Sequence, residues 1–307
     1  MKLEFLLAAA LVSATPLSYA ALGELMIERA GIVNLGVEGT MLIGAVAGFV
    51  AAQISGSAWI GVVMAMVCGG LFGGGFALLT ITARLDQIVA GLAFTVLGRG
   101  LSSYLGAGYV GIAPRAIIHK LDPGTLAHIP VLGQVVFKQD PLVLGAIVLP
   151  VLLSLYLRFT RMGLILTALG EKPDVVDSLG LPVTLLRYVY VIAGSALMGL
   201  GGAYLSLAFI PSWVENITAG RGWIAIALVI FGTWRPLWVF AGAVLFGLVD
   251  AIRFRVQLDN YPIDPHFLNM LPYLATLFVL AAVARSRARG RLGGPAALGA
   301  AYDRERR

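Results

Sequence analysis

The residues placed to do something other than pack lie first in one stretch, Gly23-Glu-Leu-Met-Ile-Glu-Arg-Ala-Gly-Ile-Val-Asn-Leu-Gly-Val-Glu-Gly39. It sets Glu24, Glu28, Arg29, Asn34 and Glu38 among apolar residues, with glycines at Gly31, Gly36 and Gly39. Glu24 and Glu28 are four apart and share a helix face, and Arg29 can neutralise one of them. Ionisable groups at membrane depth are costly, so they face a cavity or one another. A polar break carrying glycines is also how a membrane chain builds a discontinuous helix whose freed backbone lines a path. The competing reading is a solvated turn, and the density of apolar residues weighs against it.

A second break runs from Asn216-Ile-Thr-Ala-Gly-Arg221-Gly-Trp to Gly232-Thr-Trp-Arg-Pro236. It flanks the apolar segment Gly222–Gly232, too short to cross a bilayer at 1.5 Å per residue. Asn216 and Arg221 therefore join Glu24, Glu28, Asn34 and Glu38 as candidates for a translocation path or the broken helices beside it. Interrupted segments in the two halves of a chain point to such a path, although the halves do not align by eye. Asp250 and Arg253 are spaced to form a local ion pair.

Catalytic chemistry finds no footing. There is no GxxxxGK[ST] loop, no HExxH, no paired carboxylates in a polar setting and no convergent Ser-His-Asp set. Cys68 is the single cysteine, and His119, His128 and His266 do not cluster at ligand spacing, so no metal site is expected. What remains is a transporter, a channel, a receptor or a passive scaffold.

The elements that must position these residues are membrane helices. Of 307 residues, 59% are hydrophobic and 12% charged, and the mean hydropathy is +0.90. That excludes a soluble enzyme and a disordered chain. Apolar runs fall at 3–22, 39–54, 58–81, 88–105, 141–157, 188–210, the short 222–232, 237–254 and 266–284. None alternates with period two, so the expected fold is an all-α polytopic bundle of about eight or nine segments, some broken or re-entrant. The first run resembles a signal peptide ending at Pro16-Leu-Ser-Tyr-Ala20. A helix from Leu3 to about Leu22 is favoured, because Lys2 is offset by Glu4 and more membrane follows. Gly69, Gly70, Gly73 and Gly74, and Ser195 with Gly199, form small-residue faces for close helix packing or a dimer contact.

Net charge is +6. Part of the excess is local, in Arg285, Arg287, Arg289 and Arg291 after the last apolar run and Arg304, Arg306 and Arg307 at the end. Residues 285–307 therefore read as a basic cytoplasmic tail facing anionic lipid, in preference to nucleic acid. Nine alternating segments then put the N-terminus outside and residues 158–187, with Arg158, Arg161, Lys172 and Arg187, inside; an even number of spans, with 222–232 as a re-entrant hairpin, is the alternative. Residues 106–140 form a Pro- and Gly-marked outer loop. In the inner loop, Gly170 suits a helix end and Pro173 the first turn of a new helix. A short cytoplasmic helix is expected there, between turns at Gly170 and Gly180.

The run Glu24–Ala45 closely resembles the opening signature of permease subunits of bacterial ABC importers, in particular the nucleoside or simple-sugar group. Arg84-Leu-Asp-Gln-Ile-Val-Ala-Gly-Leu92, Ala168–Gly180 and Gly220–Gly232 continue the match over about residues 20–284. Branched-chain amino-acid and ribose permeases are related but differ in the opening signature. The resemblance implies a permease domain over 1–284 in a multi-pass bacterial inner-membrane protein, alternating access, and no enzymatic activity or bound cofactor in this chain. ATP would be used by a partner ATPase. It also implies a second permease subunit in a heterodimer and an extracytoplasmic substrate-binding protein. Residues 163–180 resemble the coupling segment that docks on the ATPase, with Gly170, Glu171, Pro173, Asp177 and Gly180 as its informative positions. A sugar or branched-chain amino-acid importer, or an ion-coupled secondary transporter, remains the alternative.

Overall fold

The structure, a computed structural model, describes residues 3–122, 132–258 and 294–302, with isolated positions at 124, 129, 267, 270, 271, 274, 277 and 281. Ten α-helices are described: α1 (Leu3–Arg29), α2 (Val37–Ser55), α3 (Ala58–Ala77), α4 (Gln87–Gly106), α5 (Pro141–Phe159), α6 (Arg161–Glu171), α7 (Pro173–Ser178), α8 (Val183–Tyr204), α9 (Arg221–Phe231) and α10 (Pro236–Leu258). Single π-helical turns extend α3 to Thr82 and α8 to Phe209. Among the described residues there is no strand, and seven helices are long and apolar enough to cross a membrane. The expected ninth segment, 266–284, and the arginines at 285–291 and 304–307 lie largely or wholly outside the described residues.

Two boundaries differ from expectation in a way that matters. The first span does not end near Leu22 but continues through Glu24 and Glu28 to Arg29. Both glutamates therefore sit in helix, and the break narrows to Ala30–Gly36. Tertiary partners for the two carboxyl groups permit the extension, as shown below. Gly170 is not a left-handed helix exit: it lies inside α6, and the left-handed glycine of this loop is Gly180, at φ +76°.

The core forms where α1, α2 and α8 meet, with α3, α9 and α10 against them. Small residues set the approach. A Cβ on Gly69 would fall 2.8 Å from the Ser195 carbonyl oxygen, and one on Gly98 2.5 Å from the Gly39 Cα. Backbones this close compensate for the absence of a hydrophobic force between helices in lipid. The glycine face of α3 is thus used within the chain, against Ser195 and Gly199 of α8.

The helix ends gather at two poles. At one, Thr82 meets Tyr188, Val33 meets Gln87, Arg29 meets Trp234 and Gly170 meets Ala297. At the other, Gln53 holds Ala113 and Arg115, Ile118 donates to Leu207, and Tyr204 donates to Asp140. The loop at 106–140 contributes little helix among its described residues, a turn at Ala107–Tyr109 and one π-helical turn at Gly133–Phe137.

Candidate functional site

Two interrupted elements meet at Glu38. Its carboxyl group accepts hydrogen bonds from the Thr218 hydroxyl, from Gly220 N at 2.8 Å and from Gly222 N at 2.6 Å. These amides belong to the start of α9, where N–H groups lack intrahelical partners and the dipole favours negative charge. Glu38 stands in the first turn of α2, so one side chain caps a helix 180 residues away and ties the two breaks together. Ala219 and Gly220 turn the chain into α9 with φ of +46° and +83°. A Cβ at Gly222 would lie 2.5 Å from the Glu38 backbone, so only glycine allows this approach. Gly39 packs on Phe94 and Thr95, two turns into α4. That places the junction about 10 Å from the α4 start.

Residues 30–36 run without regular structure, yet most of their amides find partners. Asn34 N donates to Glu24 Oε1 at 3.2 Å, Gly36 N to Asn34 Oδ1 at 2.8 Å, and Val33 N to Gln87 Oε1 at 2.7 Å. The Thr95 hydroxyl donates to the Leu35 carbonyl. Side chains replace the missing ladder, as a buried irregular backbone requires. Beyond α9, Trp234 donates its indole N–H to Glu28, and its carbonyl accepts from Arg29 Nη2 at 2.6 Å. Thr233 and Trp234 adopt φ of +51° and +55° to reach that position. Glu24, Glu28, Asn34 and Glu38 are all buried. α9 therefore runs between the start of α2 and the end of α1, alongside the irregular segment.

Arg221 is 3.5 Å from Asp250, which is also 3.5 Å from Arg253, and the Arg221 guanidinium sits 5.4 Å from the Phe209 ring centroid. Arg221 thus fastens the α9 start to α10. Asn216 stands apart, exposed in the loop that leads into α9. Sequence reasoning did not single out Thr218, Trp234, Gln87 or Thr95. Thr218 and Trp234 lie inside the second break and Gln87 inside the Arg84–Leu92 run, but only folding shows what they bond.

On the first pole, Thr160 caps α6 by accepting from Gly163 N, Pro173 opens α7, and Gly180 ends it. Leu166, Leu169 and Val176 bury against Ala30 of the α1 end and against Leu186 and Tyr190 of α8. Val175 and Leu179 stay exposed, at 48% and 71%. A Cβ on Gly170 would collide with the Arg29 carbonyl. Glu171 is exposed, and Asp177 lines a shallow cleft with Arg84, Val183 and Tyr302. α6 and α7 thus form a short helical pair whose inner side is locked to the α1 end and whose outer side is open.

Residues 6–281 match the family described as the permease component of branched-chain amino acid transport systems. The chain belongs to this family. The permease is also 38% identical, over 98% of both chains, to TsgC13 of Haloferax volcanii, named for a glucose ABC transporter permease. It is 33% identical to the nucleoside ABC transporter permease protein NupC of Lactococcus lactis, over 91% of this chain and 92% of that one. To the guanosine ABC transporter permease protein NupQ of Bacillus subtilis it is 30% identical, over 99% and 98%. In fold it resembles an inward-facing ABC transporter of metal-chelate type, with a TM-score of 0.52, 17% identity and coverage of 92% and 85% of the two chains. The permease is therefore a multi-pass membrane subunit of the ABC transporter class and not an enzyme.

Proposed function

We propose that this chain is a membrane subunit of an ATP-driven importer that carries nucleosides inward across the cell membrane of a bacterium. The observation that carries the reading is the Glu38 junction, in which one buried carboxyl group joins the starts of α2 and α9. Two broken helices sharing a cap move together, and together they form one wall of a path. The pole bearing Arg29, Arg84, Arg158, Arg161, Lys172, Arg187 and Arg235 faces the cytoplasm on this reading, in keeping with the distribution of Lys and Arg around membrane spans. There α6 and α7 receive the push of a partner ATPase, with Gly170, Glu171, Pro173, Asp177 and Gly180 at the contact or behind it. A second permease subunit completes the pathway, and an extracytoplasmic binding protein delivers cargo. Alternating access follows when the ATPases displace α6 and α7 and the end of α1, packed on α6, carries the displacement to the junction.

The nucleoside reading rests on the Glu24–Ala45 signature and on the kinship with NupC and NupQ. Kinship with TsgC13 favours glucose as the second reading. Uptake by proteoliposomes holding this chain, its ATPase, its second permease and its binding protein separates the two. ATP-dependent accumulation of labelled adenosine or guanosine, undiminished by excess glucose, is expected. Accumulation of glucose alone would overturn the cargo assignment, and uptake without ATP would overturn the mechanism.

A further inference from the structure

The described residues after the last apolar run, Gly294–Tyr302, do not dangle. The Ala297 N–H donates to the Gly170 carbonyl at 2.8 Å, and the Gly299 N–H to the Gly31 carbonyl at 3.1 Å. Ala296 N–H reaches Glu171 Oε2 at 3.2 Å. Gly294 packs on the Trp234 ring, Pro295 is buried beside Gly170, and the Tyr302 ring lies 5.8 Å from the Arg187 guanidinium. One nine-residue stretch therefore touches the end of α1, the end of α6, the start of α8 and the turn after α9. The family match ends at residue 281, before this stretch begins, whereas the alignments with TsgC13 and NupQ extend over 98% and 99% of the chain.

We propose that Gly294–Tyr302 is a strap that braces the α6–α7 pair against the end of α1, so that displacement of the coupling helices is passed to the Glu28–Trp234 and Glu38 contacts. Its placement distinguishes a brace from a lid. The strap grips Gly170 and Glu171 on the inner side, while Val175 and Leu179, the apolar residues a docking protein would cover, remain open. Gly31 and Gly299 both have positive φ, +84° and +80°. The strap thus meets α1 through two left-handed turns that side chains disfavour. The mechanical consequence for transport rests on the ABC reading above; the bracing does not.

Three full-length variants test it: Ala297→Pro, which removes the donor to Gly170; Gly299→Val, which strains the second turn; and Tyr302→Ala, which removes the ring beside Arg187. In lipid nanodiscs without partners, hydrogen exchange over residues 161–178 should rise about five- to tenfold in the first two and less in the third, the effect of losing one hydrogen bond each. In the assembled complex, cargo-stimulated ATP hydrolysis should fall several-fold while the amount of ATPase retained is unchanged. Leu179→Ser, on the open face, should do the reverse, lowering ATPase retention without altering exchange. Unchanged exchange in both Ala297→Pro and Gly299→Val overturns the brace. So does faster hydrolysis, which would make the strap a brake. If the unaltered complex shows no cargo-stimulated hydrolysis, the importer reading falls, and the exchange data still decide whether the strap braces α6 and α7.

Discussion

The Glu38 junction and the α6–α7 pair are both polar interruptions between apolar runs, and both carry acidic residues beside glycines. Their physics is opposite. Glu38 is buried and accepts from two backbone amides and a hydroxyl, so its removal leaves donors stranded in a medium that cannot solvate them. Asp174 lies in the open, where water satisfies whatever it loses, and the exposed Glu171 gives up a single bond, from Ala296 N at 3.2 Å. The glycines differ too. Gly222 and Gly170 both permit contact between backbones, but Gly180 serves only a turn, with open space around it. The same residue types thus build a rigid joint in one place and an accessible surface in the other.

Three substitutions probe that contrast and a fourth stands outside it, the largest effect first. Glu38→Ala should cut uptake more than tenfold per inserted permease and cost about 3 kcal/mol or more, because three donors lose their buried acceptor. Uptake normalised to membrane protein, with thermal unfolding in detergent, reads both; near-normal uptake would reduce the junction to an ordinary helix contact. Gly222→Ala should cost about 1–3 kcal/mol from overpacking against Glu38 and lower the melting temperature by several degrees. A melting point equal to the parent's would show that α9 can shift aside.

Glu171→Lys, which loses one exposed bond from Ala296 N, should change folding stability by less than about 1 kcal/mol and yet reduce cargo-stimulated ATP hydrolysis. A fall in stability as large as that of Gly222→Ala would erase the distinction between joint and surface. The smallest effect is expected at Asp140, a buried capping acid away from both regions. It accepts from Leu142 N at 2.9 Å, Val143 N at 3.0 Å and the Tyr204 hydroxyl. Burial raises its carboxyl above the usual range, against the lowering by these donors. An acid whose value is raised on folding holds its proton more tightly in the folded state. Its contribution is therefore fullest below the unfolded value near 4 and declines as pH rises through the raised one. Asp140→Asn should flatten the dependence of melting temperature on pH across that interval, and an unchanged profile would place the titration elsewhere.

Much of the fold could be read from the residues. Long apolar runs without two-residue alternation demand helices, because lipid offers no partner to a free backbone group. The short segment before Gly232, the irregular loop at 106–140, and the helix opened by Pro173 were legible from length, Pro and Gly. The membership of the break was less so. Glu24 and Glu28 read as part of an interruption, but both extend α1, where Trp234 bonds Glu28 and Asn34 N bonds one Glu24 oxygen, the other remaining buried without a hydrogen bond. Gly170 reads as an exit glycine, whereas its lack of a side chain is needed by the Arg29 carbonyl across the α1–α6 contact.

The sequence alone determined that this chain spans a membrane, that its polar residues concentrate in two breaks, and that it resembles ABC permeases. Those properties are written in local composition and spacing, which act over a few residues. Only the tertiary structure decided that Glu38 caps α9 and that the glycine face of α3 serves α8 within the chain. It alone placed Gly294–Tyr302 beside Gly31 and Gly170. Each of these contacts joins residues more than a hundred positions apart. No periodicity encodes such a pairing; it appears when backbones approach closely enough for a donor and an acceptor to find each other away from water.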